Sequence, residues 1–342
     1  MDEDSRIWDL FSRKEEYSPK KLDNHDRFTY EFSGFKDILI PHVSNYLIKN
    51  GLSIQFPDNK KFAVCLTHDI DNIYPPWKHL LLSSVYCIKD LNASGLKSQM
   101  LWKFKGKKYS PYLNFKKIMK LERNFGAKSS FYFITAEKDV NRFRYNIEEI
   151  NSELGNIVDS GWEVGLHGGY YAYNDLYEVI KEKKKLEKVL GKEVIGYRNH
   201  YLRFKVPDSW DILSKAGFKY DTTLGYNDMI GFRNGMCHPF KPINLKDSKE
   251  IDILEIPLII MDGSLFSLVN SLEEAWSYVK KLIDTVESTN GVITFLWHNH
   301  VFSCSFRKEW EMLYNKILSY CYMKNAWMTS GEEIYRWWES GH

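Results

Sequence analysis

Apolar runs of strand length recur along the chain and alternate with stretches of helical periodicity. Most of these runs are continuously apolar, which is typical of strands that are covered on both faces. Because the alternation repeats about seven or eight times, it predicts an α/β fold, a distorted parallel (β/α)7-8 barrel, with an open doubly wound sheet as the alternative. The predicted strands are FAVCLT (62–67), KSSFYFIT (128–135), WEVGLH (162–167), EVIGYRN (193–199), FKYDTTL (218–224), ILEIPLII (253–260), GVITFLWH (291–298) and AWMTS (326–330).

The segments between these strands carry helix start and stop signals. The predicted helix 175–191 begins with an aspartate and ends at a glycine, and 271–291 begins with a serine followed by acidic residues. Such residues satisfy the unpaired backbone groups at a helix end. The other predicted helices of the barrel cover 114–126, 146–161 and 207–218.

Two segments interrupt the alternation. Residues 1–60 are predicted to form an N-terminal extension that packs on the barrel, with a helix over 37–52, and the barrel covers 61–342. Residues 72–113 form a long helical insertion, here called the flap, after the first strand. Loops at the carboxyl ends of barrel strands lie over the active face. We therefore expect the flap to shape a substrate groove, and favour this over packing alone or a role at a membrane surface.

Polar and titratable residues follow the apolar runs at the carboxyl ends of the predicted strands. In a parallel barrel these ends meet at one rim, so five distant segments are expected to contribute to one cavity. Because buried charges need partners, the joint pattern favours a catalytic site over packing. Aspartate oxygens and histidine nitrogens also suit a zinc-like divalent ion. The residues are His68, Asp69, Asp71, His167, Arg198, Asn199, His200, Asp221, Trp297, His298, Asn299 and His300.

The composition narrows the classes of partner. The formal net charge is +2, so we expect neither a nucleic-acid partner nor a strong electrostatic attraction to membranes. The five cysteines are scattered, as is typical of free thiols in a reducing compartment. No signal peptide is visible at the amino terminus, and no window of 18 apolar residues predicts a transmembrane segment. We therefore expect a cytoplasmic protein.

Four motifs resemble those of the polysaccharide deacetylases, the family-4 carbohydrate esterases that include chitooligosaccharide deacetylases. These motifs are LTHDID (66–71), GWEVGLHGG (161–169), GYRNH (196–200) and FLWHNH (295–300). The longer strings GYRNHYLRF, YDTTLGYNDMIGFRNGMCHPF and LWHNHVF are similar to a divergent branch associated with bacterial surface-polysaccharide genes. The resemblance runs in order over 62–335. It implies a distorted barrel and metal-dependent removal of an N- or O-linked acetyl group from a sugar.

The resemblance also implies roles for individual residues. Asp69 is the expected general base, and Arg198 holds and orients it. His298 is the expected general acid, and Asp71 and His167 are metal ligands. The implied partners are a carbohydrate substrate, a divalent cation for which Zn²⁺ is favoured, and a glycan-assembly complex with which the protein associates peripherally.

The chain departs from the family at one metal position. The second motif normally carries another histidine four residues after the first, where this chain has Tyr171. A phenol is a poor zinc ligand near neutral pH because its ordinary pKa is about 10. We favour His200 as the replacement ligand, with His68 and His300 as alternatives. A weakly held metal, or none, is the remaining interpretation.

Further polar residues are candidates for substrate contacts. Arg203 and Arg233 suit a carboxylate or phosphate on the substrate, and equally suit ion pairs with Asp221 or Glu255. Trp297 suits stacking on a sugar ring, although a tryptophan at a barrel rim often only packs, and His238 is expected to be structural. The predicted substrate-binding residues are Tyr171, Arg203, Trp297 and His300.

Three functions are consistent with the sequence. The favoured one is a deacetylase that acts on a bacterial surface polysaccharide or its precursor. The second is a metal-dependent hydrolase of a similar barrel that cleaves a different C–N bond. The third is a catalytically degenerate barrel that binds carbohydrate or a biosynthetic partner, an interpretation that Tyr171 favours. The presence of Asp69, Asp71, Arg198 and His298 together favours an enzyme.

Overall fold

The computed structural model describes residues 3–140 and 143–341 of the chain. Within these residues the strands are β1 (Ala63–Ile70), β2 (Ser130–Ile134), β3 (Glu163–Gly168), β4 (Gly196–Asn199), β5 (Tyr220–Asp221), β6 (Ile243–Asn244), β7 (Lys249–Glu250), β8 (Leu254–Glu255), β9 (Ile260–Met261), β10 (Val292–Leu296) and β11 (Trp327–Thr329). The helices are α1 (Glu3–Phe11), α2 (His42–Lys49), α3 (Trp77–Lys89), α4 (Ala93–Lys105), α5 (Phe115–Arg123), α6 (Asn151–Asp159), α7 (Leu176–Leu190), α8 (Asp208–Lys215), α9 (Asp262–Leu268), α10 (Leu272–Ser288), α11 (Lys308–Met323) and α12 (Gly331–Glu339).

Nine strands form a curled parallel sheet with the order β8, β5, β4, β3, β2, β1, β10, β9, and β11 pairs with the first residues of β1. From β1 the chain order runs around the sheet in one direction and returns to β1 through β9 and β10. A doubly wound sheet would instead reverse its direction at a switch point. The predicted barrel is therefore confirmed. Among the described residues, β8 and β9 are the two ends of this order, and Glu255 of β8 forms an isolated antiparallel bridge with Phe240.

The two edges of the sheet come from one apolar run that the sequence predicts as a single strand. This run, 253–260, contains Pro257, which has no N–H to donate to a neighbouring strand. Leu254–Glu255 therefore pairs with β5, and Ile260–Met261 pairs with β10. The edges of the barrel are consecutive strands as a result, and the segment that contains Pro257 forms the seam between them.

Strand β1 lies at the centre of the sheet. All eight of its residues are buried, and it pairs with β2, β10 and β11. Its apolar residues pack in the main core together with apolar side chains of β10 and of helices α10 and α11. The burial of β1 on both faces explains why its sequence is continuously apolar until His68.

The amino-terminal segment contacts the barrel through a buried charge cluster. Arg13 is fully buried and donates to Oε1 of Glu16 and to the carbonyl of Arg233, each over 2.6 Å. Arg233 in turn donates to Oε2 of Glu16 over 2.5 Å. Arg233 thus pairs with an extension residue, and neither with Asp221 nor with Glu255. The domain division at residue 60 stays a prediction, and the helix predicted over 37–52 is the shorter α2.

The flap is helical, as predicted, and α3 and α4 form a hairpin directly after β1. Its two ends are tied together because Oγ of Ser110 donates to the carbonyl of Ile73 over 2.6 Å. Nδ2 of Asn299 donates to the carbonyls of Asn72 and Tyr112, each over 3.0 Å. None of the helices in the described part of the chain is long and apolar enough to cross a membrane.

Candidate active site

Polar side chains from the carboxyl ends of β1, β3, β4 and β10 meet in one cavity of about 280 Å³. The strand register explains this convergence, since Asp69 pairs with Tyr132 on β2, and His167 pairs with Ile134 on β2 and with Arg198 on β4. No flap residue of the described chain lines this cavity. The lining residues are Arg27, Asp69, Asp71, Arg144, His167, His200, Tyr201, Leu202, Asn227, Met261, Gly263 and His298.

Asp71, His167 and His200 form the candidate metal centre. Oδ1 of Asp71 lies 3.3 Å from Nε2 of His167 and 3.5 Å from Nε2 of His200. The three ligand atoms lie within 4.8 Å of one another. Oδ1 of Asp71 is also buried without a hydrogen-bond partner in the described residues. One oxygen and two nitrogens that converge in this way suit a divalent cation.

The environment of His167 fixes the nitrogen that is left for a ligand. Nδ1 of His167 lies 3.0 Å from the carbonyl of Arg198 and donates its proton there. The lone pair is therefore on Nε2, which faces Asp71. Metal-binding histidines usually have such an acceptor behind the ring because it sets the tautomer and the ring orientation.

Asp139 is a charge partner of His200, although Nδ1 of His200 has no hydrogen bond in the described residues. Its Oδ1 lies 3.6 Å from Nδ1 of His200, and its other oxygen pairs with Arg144. Burial would raise the pKa of Asp139, but His200 and Arg144 outweigh this effect and lower it to about 2. Asp139 is therefore a carboxylate at neutral pH, and its negative charge lies beside the far side of the His200 ring.

The charges of the candidate metal centre strongly shift the pKa values of its own side chains. Burial would lower the pKa of His200, but Asp71 and Asp139 outweigh burial and raise it to about 9. Burial would likewise raise the pKa of Asp71, but His200 and His167 hold it well below its ordinary range. At neutral pH the centre thus contains a carboxylate that faces a protonated imidazole, and a divalent cation bound there takes the place of that proton.

Asp69 lines the cavity, and Arg198 lies buried behind it, outside the lining. Nε of Arg198 is 4.0 Å from Oδ1 of Asp69, and both side chains are buried. Nη2 of Arg198 donates to the hydroxyl oxygens of Thr67 and Thr222, each over 3.0 Å. Oδ1 of Asp69 and the Nε and Nη1 atoms of Arg198 have no hydrogen-bond partner in the described residues. A buried carboxylate and guanidinium with unused polar atoms are typical of a site that binds a further polar group.

His298 faces the same cavity and is held by Asp262. Oδ1 of Asp262 lies 2.8 Å from Nδ1 of His298, and its Oδ2 accepts from the His298 backbone N–H over 2.8 Å. Burial would lower the pKa of His298, but Asp262 and Asp71 outweigh this effect and raise it to about 9. His298 is therefore protonated at neutral pH, and Nε2 carries a proton on the cavity side.

The sequence-predicted site residues divide into two groups. Six of them, predicted as catalytic or as metal ligands, meet around the cavity, although their roles stay predictions. Tyr171 does not join them, because its ring is 53% exposed and packs against Tyr170. It lines a neighbouring cavity with Glu137 and Asp139, so a substrate contact by Tyr171 also stays a prediction. The six residues are Asp69, Asp71, His167, Arg198, His200 and His298.

The predicted substrate contact of Arg203 is wrong in this structure. Its guanidinium donates to the carbonyls of His25 and Tyr170, over 2.8 and 2.6 Å. It also pairs with Oδ2 of Asp26 at 2.6 Å and lies between the rings of Tyr170 and Tyr173. These contacts use the donors of Arg203 to hold the amino-terminal segment, and they leave it buried away from the cavity.

Trp297 and His300 also differ from their predicted roles. Trp297 has no exposed surface, and its Nε1 donates to the carbonyl of Trp310 over 3.1 Å, so no sugar can stack on it. His300 is buried behind His298, with ring centroids 5.4 Å apart, and it does not line the cavity. Burial, with the charges of His298 and Arg307 beside it, holds the pKa of His300 well below its ordinary range. We therefore correct both predicted substrate contacts.

His68 is not an alternative metal ligand, because each of its ring nitrogens has an acceptor in the core. Nδ1 lies 2.7 Å from the carbonyl of Trp297, and Nε2 lies 2.8 Å from Oε1 of Glu122. The same carboxylate accepts from the hydroxyl of Tyr314 over 2.7 Å and from Nε1 of Trp162 over 2.6 Å. The side chain of His68 thus points away from the cavity that Asp69 faces, as alternation along a strand requires.

Sequence reasoning missed two carboxylates of the site, Asp262 and Asp139. Asp262 follows the apolar run 253–260 in the string IIMDG, which is the same signal as the change from apolar to acidic residues at Asp69. That signal could have identified Asp262. Asp139 lies in the loop after β2, in the polar string AEKD, where no local pattern distinguishes it from a surface residue.

Comparisons with known proteins find similarity to deacetylases. No family model matches this chain. The chain is 25% identical to a peptidoglycan deacetylase of Helicobacter pylori over 162 residues, which are 45% of this chain and 46% of that protein. The matched part thus spans about half the length of this curated relative. A provisionally assigned polysaccharide deacetylase of Mycobacterium smegmatis has the same fold, with a TM-score of 0.56 and 18% identity over 84% of this chain and 93% of that chain.

The resemblance to the polysaccharide deacetylases is confirmed. The polysaccharide deacetylase fold is also that of Puue allantoinase, with a TM-score of 0.57 and 15% identity over 95% of this chain and 98% of that chain. Structural similarity at such low sequence identity establishes the fold alone. The type of bond that is cleaved therefore has to be inferred from the side chains of the site. The polysaccharide deacetylase motif normally has a metal-binding histidine at the position of Tyr171, which lies outside the candidate metal centre of this chain. His200 is the second histidine of that centre instead.

Proposed function

We propose that this protein is a metal-dependent hydrolase that removes an N- or O-linked acetyl group from a sugar. The observation that carries the proposal is the arrangement around one cavity of a three-residue metal centre, a carboxylate beside a guanidinium, and a protonated imidazole. Hydrolysis of an amide or ester needs a base for the attacking water and an acid for the leaving group. The cavity contains one candidate for each role.

Asp71, His167 and His200 would hold the cation. Their donor set of one carboxylate oxygen and two imidazole nitrogens is one that zinc uses in catalytic sites, which supports Zn²⁺ as the favoured ion. When bound, such an ion lowers the pKa of a water molecule and polarises a carbonyl group. The orphaned Oδ1 of Asp71 and the fixed tautomer of His167 support the fit between these residues and a cation.

Asp69 and Arg198 serve the attacking water in this proposal. Asp69 takes up the proton of the water molecule as its oxygen adds to the acyl carbon. Arg198, whose Nε lies 4.0 Å from Oδ1 of Asp69, orients the carboxylate. Oδ1 of Asp69 is buried beside Arg198, whereas Oδ2 lies 3.5 Å from Nε2 of His167 in the metal centre, so Oδ2 is the oxygen that takes up this proton in the proposal.

His298 serves the leaving group. Its Nε2 donates a proton to the sugar nitrogen or oxygen as the bond to the acyl carbon breaks. Asp262 fixes the ring through Nδ1 and favours the protonated form. Deacetylation thus ends with acetate and a free amine or hydroxyl on the sugar, with one proton of the water molecule on Asp69 and the former proton of His298 on the leaving group. Proton exchange with solvent then returns both residues to their starting states.

The finer parts of the proposal rest on the sequence motifs. Their similarity to the branch associated with bacterial surface-polysaccharide genes supports a surface polysaccharide, or its precursor, as the substrate. We propose action in the cytoplasm, in peripheral association with a glycan-assembly complex and without a nucleic-acid partner. A catalytically degenerate barrel is the less favoured alternative, since His200 supplies the third metal ligand that Tyr171 does not.

The test combines metal analysis with an acetate-release assay. We expect about one equivalent of zinc in the purified protein. Acetate should be released from acetylated saccharides, lost on chelation and restored by adding the metal. Substitution of Asp69→Asn should lower turnover by at least about a hundredfold, because it removes the general base. The folded state, followed by circular dichroism and thermal unfolding, should persist.

The matched control is Asp252→Asn, which changes an exposed aspartate outside the cavity and should leave turnover unchanged. Unchanged turnover in the Asp69→Asn protein would refute the assignment of the base. Hydrolysis of another C–N bond, with no acetate released from any saccharide, would favour the second class of hydrolase. A protein that binds neither metal nor acetylated saccharide would refute the proposed function as a whole.

A further inference from the structure

The flap carries an apolar stripe on its outer face. Trp77, Leu81, Val85 and Ile88 follow one another on α3 at intervals of four, four and three residues, so they share one face of the helix. Each is 60% to 68% exposed, and Leu91 at the turn that follows α3 is 92% exposed. Large apolar residues that are exposed singly are normal, but a continuous stripe of them marks a surface that binds something.

The stripe is the outer side of a helix whose inner side is already packed. Leu80, Ser83 and Cys87 of α3 are buried. At Gly95 of α4 a Cβ would lie 2.9 Å from Sγ of Cys87, so the two helices pack closely there. The inner face of α3 thus holds the hairpin together, which leaves the outer stripe free to contact another surface.

Helix α4 adds aromatic and cationic groups to the same hairpin. Phe104 is 84% exposed, and Met100, one turn earlier, is half-exposed. Nζ of Lys103 lies 2.9 Å from the centroid of the Trp77 ring, which brings a cation of α4 to the end of the stripe on α3. Exposed tryptophan and phenylalanine beside lysine are typical of helices that lie in the interface of a bilayer.

The charge of the hairpin differs from that of the rest of the molecule. Residues 77–109 contain seven lysines and one aspartate, whereas the whole chain has a formal net charge of only +2. The remainder of the chain is therefore net acidic, and the positive charge is concentrated around the stripe. The net charge of the whole chain, from which we expected no strong attraction to membranes, thus conceals a basic surface on the flap. The lysines are Lys78, Lys89, Lys97, Lys103, Lys105, Lys107 and Lys108.

The hairpin is also connected to the candidate active site. The ring of His79 on α3 lies 5.5 Å from that of His300, which lies 5.4 Å from that of His298. Nδ1 of His79 is hydrogen-bonded to the hydroxyl of Tyr112, and Tyr112 in turn contacts the 299–304 segment. A surface that binds the hairpin is therefore brought close to the loop that carries His298.

We propose that the α3–α4 hairpin docks on an anionic lipid bilayer, with the apolar stripe in the headgroup region and the lysines against acidic phospholipids. Apolar burial and attraction to anionic lipids act together in such helices. A second copy of this chain is the less suitable occupant, because two hairpins with the same positive charge repel each other. The proposal concerns binding alone and does not depend on the proposed deacetylation.

The test measures binding of the full-length protein to lipid vesicles by flotation. We expect binding to vesicles of phosphatidylglycerol and phosphatidylcholine in equal parts, weaker binding at high salt, and little binding to phosphatidylcholine alone. The double substitution Leu81→Ser and Ile88→Ser should weaken binding to the mixed vesicles by at least about tenfold, because it removes two apolar side chains from the stripe. The double substitution Lys97→Glu and Lys105→Glu should also weaken binding, through charge.

Two matched controls keep the outcome specific to the hairpin. Tyr322→Ser with Met323→Ser changes similarly exposed apolar residues on α11, and Lys184→Glu with Lys188→Glu changes exposed lysines on α7. Both should bind like the unmodified protein. Absence of binding to mixed vesicles, or equal binding by the stripe variant, would overturn the proposal. Self-association or capture of an acidic protein that the stripe variant loses, without vesicle binding, would overturn it in favour of a protein partner.

Discussion

Three histidines, of which His238 and His300 are buried and His298 is partly buried, show how the partner of an imidazole decides its charge. His298 has a carboxylate at Nδ1, and the carboxylates around it raise its pKa to about 9 against the effect of burial. His238 faces only a hydroxyl and backbone carbonyls, and burial lowers its pKa to about 4. Burial, with the charges of His298 and Arg307 beside it, holds the pKa of His300 well below its ordinary value. His298 alone of the three thus carries a proton to donate at neutral pH, because of Asp262.

We expect Asp262→Asn to lower kcat by about a hundredfold or more and to leave KM almost unchanged, because the proton donor is misaligned and less often protonated. Steady-state kinetics with an acetylated saccharide measure this split between kcat and KM. Asp262 acts through His298, so it is a positioning residue. The control is Asp252→Asn, and a proportional rise in KM with kcat unchanged would contradict the positioning role.

At the scale of single elements, β1 has side chains on its two faces that do different things. Its outward residue His68 contributes to a buried network with Glu122 on α5 and Tyr314 on α11. Its inward residue Asp69 faces the cavity. The network therefore holds the strand that delivers Asp69. His68 also contacts the carbonyl of Trp297, one residue before His298. The segments that carry Asp69 and His298 are therefore both held by the buried side chain of His68.

We expect Glu122→Gln to lower the free energy of unfolding by about 3 kcal/mol or more, because it removes a buried charge that accepts four hydrogen bonds. An amide nitrogen in place of either oxygen would face two donors. Chemical denaturation at fixed pH measures the difference. Glu309→Gln changes an exposed residue on α11 and should have almost no effect. Equal stability of the two variants would show that the network contributes little.

The elements themselves were largely predictable from apolar periodicity, and their boundaries less so. The run 193–199 shortened to Gly196–Asn199, and the run 218–224 shortened to Tyr220–Asp221. Periodicity reports burial, and buried residues just outside a ladder look the same as residues inside it. The run 253–260 split because Pro257 removes a donor, which the sequence does show. Helices α11 and α12 were not among the predicted elements.

The site was predictable to the extent that its residues follow strands. Asp69, Asp71, His167, Arg198 and His200 were brought together by parallel pairing, which a strand pattern implies. Contacts of Arg203 with Asp26, and of Trp297 with the core, depend on how distant segments pack, and no local pattern encodes them. Asp139 was missed for the same reason.

At the scale of the whole molecule, one end of the barrel carries the candidate active site and the other is closed by buried hydrogen bonds. The carboxyl ends of the strands carry the candidate active site. The amino ends are closed by Glu163, the first residue of β3, which accepts from Ser130, from Tyr220 and from the backbone N–H of Glu332 on α12. Burial, with Glu332 nearby, raises the pKa of Glu163 to about 7.

This shift makes the stability of the fold depend on pH. In the folded state Glu163 keeps its proton up to about pH 7, whereas in the unfolded chain it loses it near its ordinary value of 4.5. The folded state therefore binds one proton more between these values, and its stability falls as pH rises through this range. The loss amounts to about 3 kcal/mol for this group.

We expect Glu163→Gln, which is neutral at every pH, to remove this part of the pH dependence. Denaturation at about pH 5 and about pH 8 should show a larger loss of stability in the unmodified protein than in the variant. Glu182, whose pKa is raised to about 8 mainly by burial, contributes equally to both proteins and cancels in the comparison. Glu273→Gln, an exposed change on α10, should retain the full dependence. The same slope in the Glu163→Gln protein would contradict the assignment.

The seam at Pro257 also affects how Asp262 is positioned relative to His298, the proposed proton donor. Asp262 follows β9 directly, and His298 follows β10 after one intervening residue. The two strands are joined by two residue pairs, Phe295 with Ile260 and Leu296 with Met261. A slip of one residue along a strand displaces a side chain by about 3.3 Å and turns it to the other face. Such a slip would separate Asp262 from His298. The pairing of β9 with β10, only two residue pairs long, thus aligns Asp262 with His298, and we expect changes around Pro257 to affect proton transfer from outside the cavity.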